Sequence, residues 1–139
     1  MIQRRTFLEL IGYAAATGAC SVGAVPPADV GDVSVGNASA LAMDSLAAVP
    51  GEPVCIGRDA SGIYAMTLIC PHQGCDIGQR GSVSKSGLYC ACHGSSFDAN
   101  GNVTGGPSPG PLAHYAVSED AAGALTVHTG TEVGPTTRI

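Results

Sequence analysis

CPHQGC (residues 70–75) and CACHGS (residues 90–95) hold four of the six cysteines and two of the four histidines of this 139-residue chain. Six such ligands are more than one tetrahedral metal ion takes. The pairs are C-x-H, Cys70 with His72, and C-x2-H, Cys90 with His93, and 17 residues lie between His72 and Cys90. CACH is not C-x-x-C-H, because one residue separates Cys90 from Cys92, so covalent c-type haem attachment is excluded. A structural zinc site ordinarily shows C-x2–4-C or H-x3–5-H pairs. Each loop here instead offers one thiolate and one imidazole. Two such mixed pairs suit a binuclear cluster in which one iron takes both thiolates and the other both imidazoles.

Around these loops the chain reads as short strands. DVSVGN (32–37) alternates, and EPVCIGRDASGIYAMTLIC (52–70) gives two strands about a turn at RDASG, with Tyr64, Met66 and Leu68 on one face. GLYCACHG (87–94) and SSFDANGNV (95–103) form a pair with DANG as the turn. LAHYAVSED (112–120) and GALTVHT (123–129) form a last hairpin. ASALAMDSLAAV (38–49) has some helical propensity or is an irregular crossover. The expected fold is all-β, an antiparallel β sandwich. With 20 Gly, 9 Pro, no Trp and 12% charged residues, the composition agrees with a small turn-rich domain. Net charge is −5 and no basic cluster follows residue 5, which excludes nucleic acid as a partner class.

The first twenty residues, MIQRRTFLELIGYAAATGAC, place Arg4 and Arg5 before Phe7 and Leu8 and then run into small residues. That order reads as a twin-arginine-type export signal, followed by a linker over residues 21–30. Cleavage near Ala19–Ala24 is expected, and lipidation at Cys20 is the alternative. Glu9 and the many small polar residues make the stretch a poor membrane span, although association with the membrane through the N-terminus stays open.

The two loops, the gap between them, the GPSP segment (106–109) and the strand order from about residue 31 to 129 resemble the Rieske iron–sulfur proteins. The resemblance implies a Rieske-like antiparallel β sandwich over residues 31–129, a small cluster-binding subdomain made of the two loops, and a C-terminal tail over 130–139. It implies one [2Fe–2S] cluster, with Cys70 and Cys90 on the inner iron and His72 and His93 on the outer one. Cys75 and Cys92, the spare cysteine of each loop, then match the inter-loop disulfide of the quinol-oxidising type, and export favours such a bond. Ser95 matches a serine whose hydroxyl donates to a bridging sulfide. Phe97 stands where high-potential relatives have a tyrosine, which implies a lower potential. Gly106 and Pro107 match a segment that covers the cluster, with Gly105 and Gly106 allowing close approach. Cys55 is expected to be a buried free thiol, and His114 and His128 packing or surface residues.

The function so implied is one-electron transfer by an exported carrier or subunit, not a complete enzyme. Its partner would be a redox protein, either a quinol-oxidising complex of the cytochrome bc type or a periplasmic oxidoreductase. The alternative is a zinc-stapled, disulfide-bonded β binding module without redox activity.

Overall fold

The computed structural model describes residues 23–139, so the export-signal reading of residues 1–20 and the lipidation reading of Cys20 lie outside the described residues. Among the described residues no helix is long and apolar enough to cross a membrane. Strands β1 (Asp32–Asn37), β2 (Ser45–Ala48), β3 (Val54–Asp59) and β4 (Gly62–Thr67) precede a single helical turn, α1 (Ile77–Arg80). Then come β5 (Gly81–Ser84), β6 (Gly87–Cys90), β7 (Ser95–Phe97), β8 (Val103–Gly105), β9 (His114–Glu119) and β10 (Ala124–Val133). They form a six-stranded sheet in the order β1-β10-β9-β4-β3-β2 and a four-stranded sheet in the order β5-β6-β7-β8. Every pairing in both sheets is antiparallel.

Strands β3 and β4 are buried on both faces, so their side-chain alternation separates two cores rather than core from solvent. Val54, Ile56, Ile63 and Ala65 join Val33, Tyr115, Leu125 and Val127 on one face. Cys55, Tyr64, Met66 and Leu68 join Leu88, Phe97, Leu112, Cys70 and Cys90 on the other. The small sheet therefore packs on one face of β3–β4, and the two free thiols of the loops sit within that same apolar cluster. Tyr64, Met66 and Leu68 share a face as their spacing predicts.

Three elements differ from the sequence reading. Residues 45–48 are neither helix nor irregular crossover but strand β2, because Leu46 is buried in the core and the backbone pairs with β3 from Ser45↔Arg58 to Ala48↔Cys55. Only Ala38–Ala40 winds helically, as one 3-10 turn capped by the Asn37 side chain, which accepts from the Ser39 N–H. Strand β5 was not foreseen, and β10 continues to Val133 beyond the expected last strand. Past that strand, Ile139 and Ile63 exchange backbone hydrogen bonds of 3.1 and 3.0 Å, so the C-terminal stretch lies along β4.

Candidate metal centre

The two loops are built alike. Gly74 N–H donates to the Cys70 carbonyl at 2.9 Å, and Gly94 N–H donates to the Cys90 carbonyl at 3.0 Å. Each is a single unrepeated α-turn. It closes on a glycine at φ 78° in the first loop and 83° in the second, where an L side chain would be strained. The shared C-x3-G spacing is visible in the sequence, although the reading of ligands alone passes over it. Cys70 N–H donates to the Cys75 carbonyl at 2.8 Å and closes the base of the first loop. Asp76 accepts from the Gly78 N–H at 2.8 Å and caps α1 directly behind it. The second loop is pinned by Ala91 N–H donating to the Arg80 carbonyl at 2.9 Å. Val25, in the stretch read as a linker, donates its N–H to the Pro71 carbonyl at 2.8 Å and crosses the first loop.

This framework brings the expected residues together. Cys70 and Cys90 are buried free thiols of one apolar cluster. Burial pushes the Cys90 thiol up, and the Cys70 thiol adds to that. Backbone N–H groups of Cys92 and His93 oppose it by favouring the thiolate. His72 is half-buried and His93 exposed, with ring centroids 4.7 Å apart at 78°. Cys75 and Cys92 form a disulfide with their Cα atoms 6.7 Å apart, which ties loop to loop. The sulfurs of Cys75, Cys90 and Cys92 all lie within 4.8 Å of one another, but the disulfide leaves only Cys90 of these as a thiolate donor.

The surroundings fit a bound group. Among the described residues, His72 Nδ1 and Ser95 Oγ are buried without any hydrogen-bond partner. Orphans of that kind are costly in a folded interior unless something else satisfies them. A metal would take the imidazole lone pair and an acceptor such as sulfide the hydroxyl proton. Two thiols and two imidazoles are the mixed donor set that a [2Fe–2S] centre with both ligand types requires.

Gly106 lies at φ 80°, and a Cβ there would meet the backbone of Gly94 and stand 2.6 Å from Cα of Ser95. The covering segment thus touches the second loop directly. Gly105 does not share this role, since a Cβ at that position meets nothing within 4 Å. Pro107 is exposed beyond it. Phe97 is buried on β7 opposite Leu88.

The other candidates stay apart from the centre. Cys55 is fully buried and free, with its thiol pushed up to about 12 by burial. His114 is buried, with Nε2 2.8 Å from the Asn100 carbonyl. His128 pairs with Asp32 at 2.8 Å on the far sheet.

Comparison with known proteins agrees with this geometry. A cytochrome b6-f complex iron-sulfur subunit of Synechococcus sp. (strain WH7803) is 44% identical over 62 residues, covering 45% of this chain and 34% of that protein. The subunit of the same name from Prochlorococcus marinus (strain MIT 9211) is 41% identical over 66 residues, covering 46% of this chain and 36% of the relative. The chain thus spans about a third of the length of these relatives. In fold it is similar to a solved complex of reduced oxygenase and oxidized ferredoxin in carbazole 1,9a-dioxygenase. That likeness has a TM-score of 0.52 at 20% identity and covers 74% of this chain and 97% of the other. The family description Rieske [2Fe-2S] domain matches residues 19–116, a span that holds both loops, the disulfide and the covering segment. On that match and the paired loops that carry it, the chain belongs to the Rieske [2Fe-2S] domain family.

Proposed function

We propose that this protein is a one-electron carrier whose [2Fe–2S] centre is held by Cys70 and Cys90 on one iron and by His72 and His93 on the other. The observation that carries the reading is the pair of disulfide-tied loops, with two buried free thiols behind and two imidazoles in front. Such a centre, when bound, takes up and returns a single electron. The chain's own residues set its conditions. Cys70 and Cys90 give up their protons to bind metal, helped at Cys90 by the N–H groups of Cys92 and His93. Neutral imidazoles in place of two further thiolates leave less negative charge at the site, which favours the reduced form. Ser95 donates its otherwise unpartnered hydroxyl toward the centre and favours reduction further. His93 is exposed and His72 half-exposed, so a partner reaches this edge first.

Residues 1–20 are read as directing export across the cytoplasmic membrane, and the domain, which reaches from Val25 at the first loop to Ile139 beside β4 rather than over 31–129 alone, as working on its outer side. The partner is read as a quinol-oxidising membrane complex. The name of the relatives, cytochrome b6-f complex iron-sulfur subunit, supports this. Phe97 in place of a hydroxylated residue favours a potential below that of the highest members. Iron and acid-labile sulfide analysis tests the cofactor. Two irons and two sulfides per chain are expected, and each is lost on replacing Cys70, His72, Cys90 or His93 by Ala. Stoichiometric zinc in protein made with ample iron would instead support the zinc-stapled binding module.

A further inference from the structure

At the end of the β7–β8 hairpin opposite the metal centre, the turn Asp98–Asn102 is gripped by the large sheet. Tyr64 donates its hydroxyl to the Ala99 carbonyl at 2.7 Å. His114 Nε2 meets the Asn100 carbonyl at 2.8 Å. Leu112 N–H donates to the Gly101 carbonyl at 2.9 Å. Over these lies Arg138, whose guanidinium is 4.0 Å from the centroid of the Tyr64 ring. The Tyr64 ring in turn stacks with His114 at 5.9 Å.

Every N–H of that guanidinium is engaged. Nε and Nη2 donate to Asp59 Oδ2 at 3.0 and 2.8 Å, and Nη2 also donates to Asn100 Oδ1 at 2.8 Å. Nη1 donates to the Pro135 and Thr137 carbonyls at 3.2 and 3.0 Å. Asn100 Nδ2 returns a bond to Pro135 at 3.1 Å. The Arg138 side chain is only 11% exposed, and its bonds to Asp59 and Asn100 are part-buried while those to Pro135 and Thr137 face solvent. The planar fork and the stacking are properties that lysine lacks.

The hairpin it holds is short. β7 and β8 have three residues each, with Ser95 at the near end of β7 and Gly106 just past β8, against Gly94 and Ser95. A shift of the turn therefore moves the cradle of the second loop. We propose that Arg138 is a positioning residue for the metal centre: by clamping the Asp98–Asn102 turn to the six-stranded sheet, it fixes where Ser95 presents its hydroxyl. This rests on the reading that Ser95 faces a [2Fe–2S] centre.

The test compares midpoint potentials of the iron-loaded full chain for wild type, Arg138→Ala, Ser95→Ala and the double variant. Each single change should lower the potential, and the double variant should lie no lower than Ser95→Ala alone, because both act through one hydroxyl. Arg138→Lys should not restore the wild-type value. Amide exchange at Gly101 and Asn102 should rise on the order of tenfold in Arg138→Ala. An unchanged potential with an intact cluster spectrum overturns the proposal, and so does full additivity with Ser95→Ala. If Arg138→Ala does not fold, Asn100→Ala keeps the Arg138–Asp59 pair and must give the same pattern, and an unchanged potential there overturns the proposal equally. A wild-type protein without a [2Fe–2S] spectrum sinks the functional reading instead, and the exchange measurement then tests the clamp on its own.

Discussion

The imidazoles of His72 and His93 stand edge to face, 4.7 Å between centroids and 78° between planes. They come from different loops, and nothing in either loop alone would bring them together. The Cys75–Cys92 disulfide does so from one side, and the burial of Cys70 and Cys90 in one apolar cluster does so from behind. The geometry of the site is thus a property of the pair of loops, and changes that separate the loops should be felt at all four proposed donors.

Removing the disulfide should cost stability. It links residues with a sequence separation of 17, for which loop-closure entropy gives about 3 kcal/mol. A single Cys75→Ser change would free the Cys92 thiol close to Cys90, whose sulfurs lie in one group within 4.8 Å. The clean comparison is therefore Cys75→Ser with Cys92→Ser, followed by chemical denaturation. Stability equal to that of the wild type would show that other contacts hold the loops.

Ser95→Ala should have opposite effects with and without iron. In the iron-free protein the hydroxyl is buried and unpartnered, so its loss should be neutral or stabilising by about 1 kcal/mol. In the iron-loaded protein the same change should lower the midpoint potential. Destabilisation of the iron-free form would indicate that the hydroxyl has a protein partner.

Gly106→Ala and Gly105→Ala should differ sharply. At Gly106 a Cβ meets the second loop and φ is 80°, so destabilisation of about 1–3 kcal/mol is expected together with reduced iron retention. At Gly105 nothing lies within 4 Å, and the change should be nearly neutral. Thermal unfolding of the two variants side by side checks this.

Acidification should weaken the fold through His114. Burial pushes its pKa below the ordinary value, the hydrogen bond to the Asn100 carbonyl opposes this, and the Arg138 charge adds to the lowering. Its Nδ1 is buried without a partner among the described residues, so a proton there has no acceptor among them. The unfolded chain therefore takes the proton first. Stability is present above the ordinary value of about 6.5 and is lost as pH falls below it, with a slope of at most about 1.4 kcal/mol per pH unit. Asp98 is held low by bonds from Asn102, Asn100 and Gly101 that outweigh its burial. Its contribution is lost only below about pH 4, in a separate window. His114→Gln keeps a neutral donor and should remove the upper window alone. The same slope in that variant would assign the effect to another group.

The loops, the hairpins about RDASG and DANG, and the last hairpin between LAHYAVSED and GALTVHT were legible because ligand spacing and turn chemistry are local. β2 was not, since Ala47 and Ala48 carry helical propensity and become strand only by pairing with β3. β5 escaped for a related reason. GSVS is polar and short, and Gly81 is needed where its backbone meets that of Tyr89, a closeness that only the folded sheet reveals. The clamp of Arg138 on Asp59 joins residues 79 positions apart, and neither carries a motif. The four proposed donors were visible as types and spacings. Their arrangement, thiols inside and imidazoles outside, follows from Leu68, just past β4, and Leu88, on β6, which run into the core two residues before Cys70 and Cys90.

Nitrogen hyperfine spectroscopy of the reduced, iron-loaded full chain with 15N-labelled histidine tests the proposed ligand set most directly. Two histidine nitrogens coupled to one iron of a two-iron centre are expected, with the signal lost in His72→Ala and in His93→Ala and unchanged in His114→Gln. An all-sulfur centre, a single iron, or histidine coupling that survives loss of His72 and His93 would contradict it.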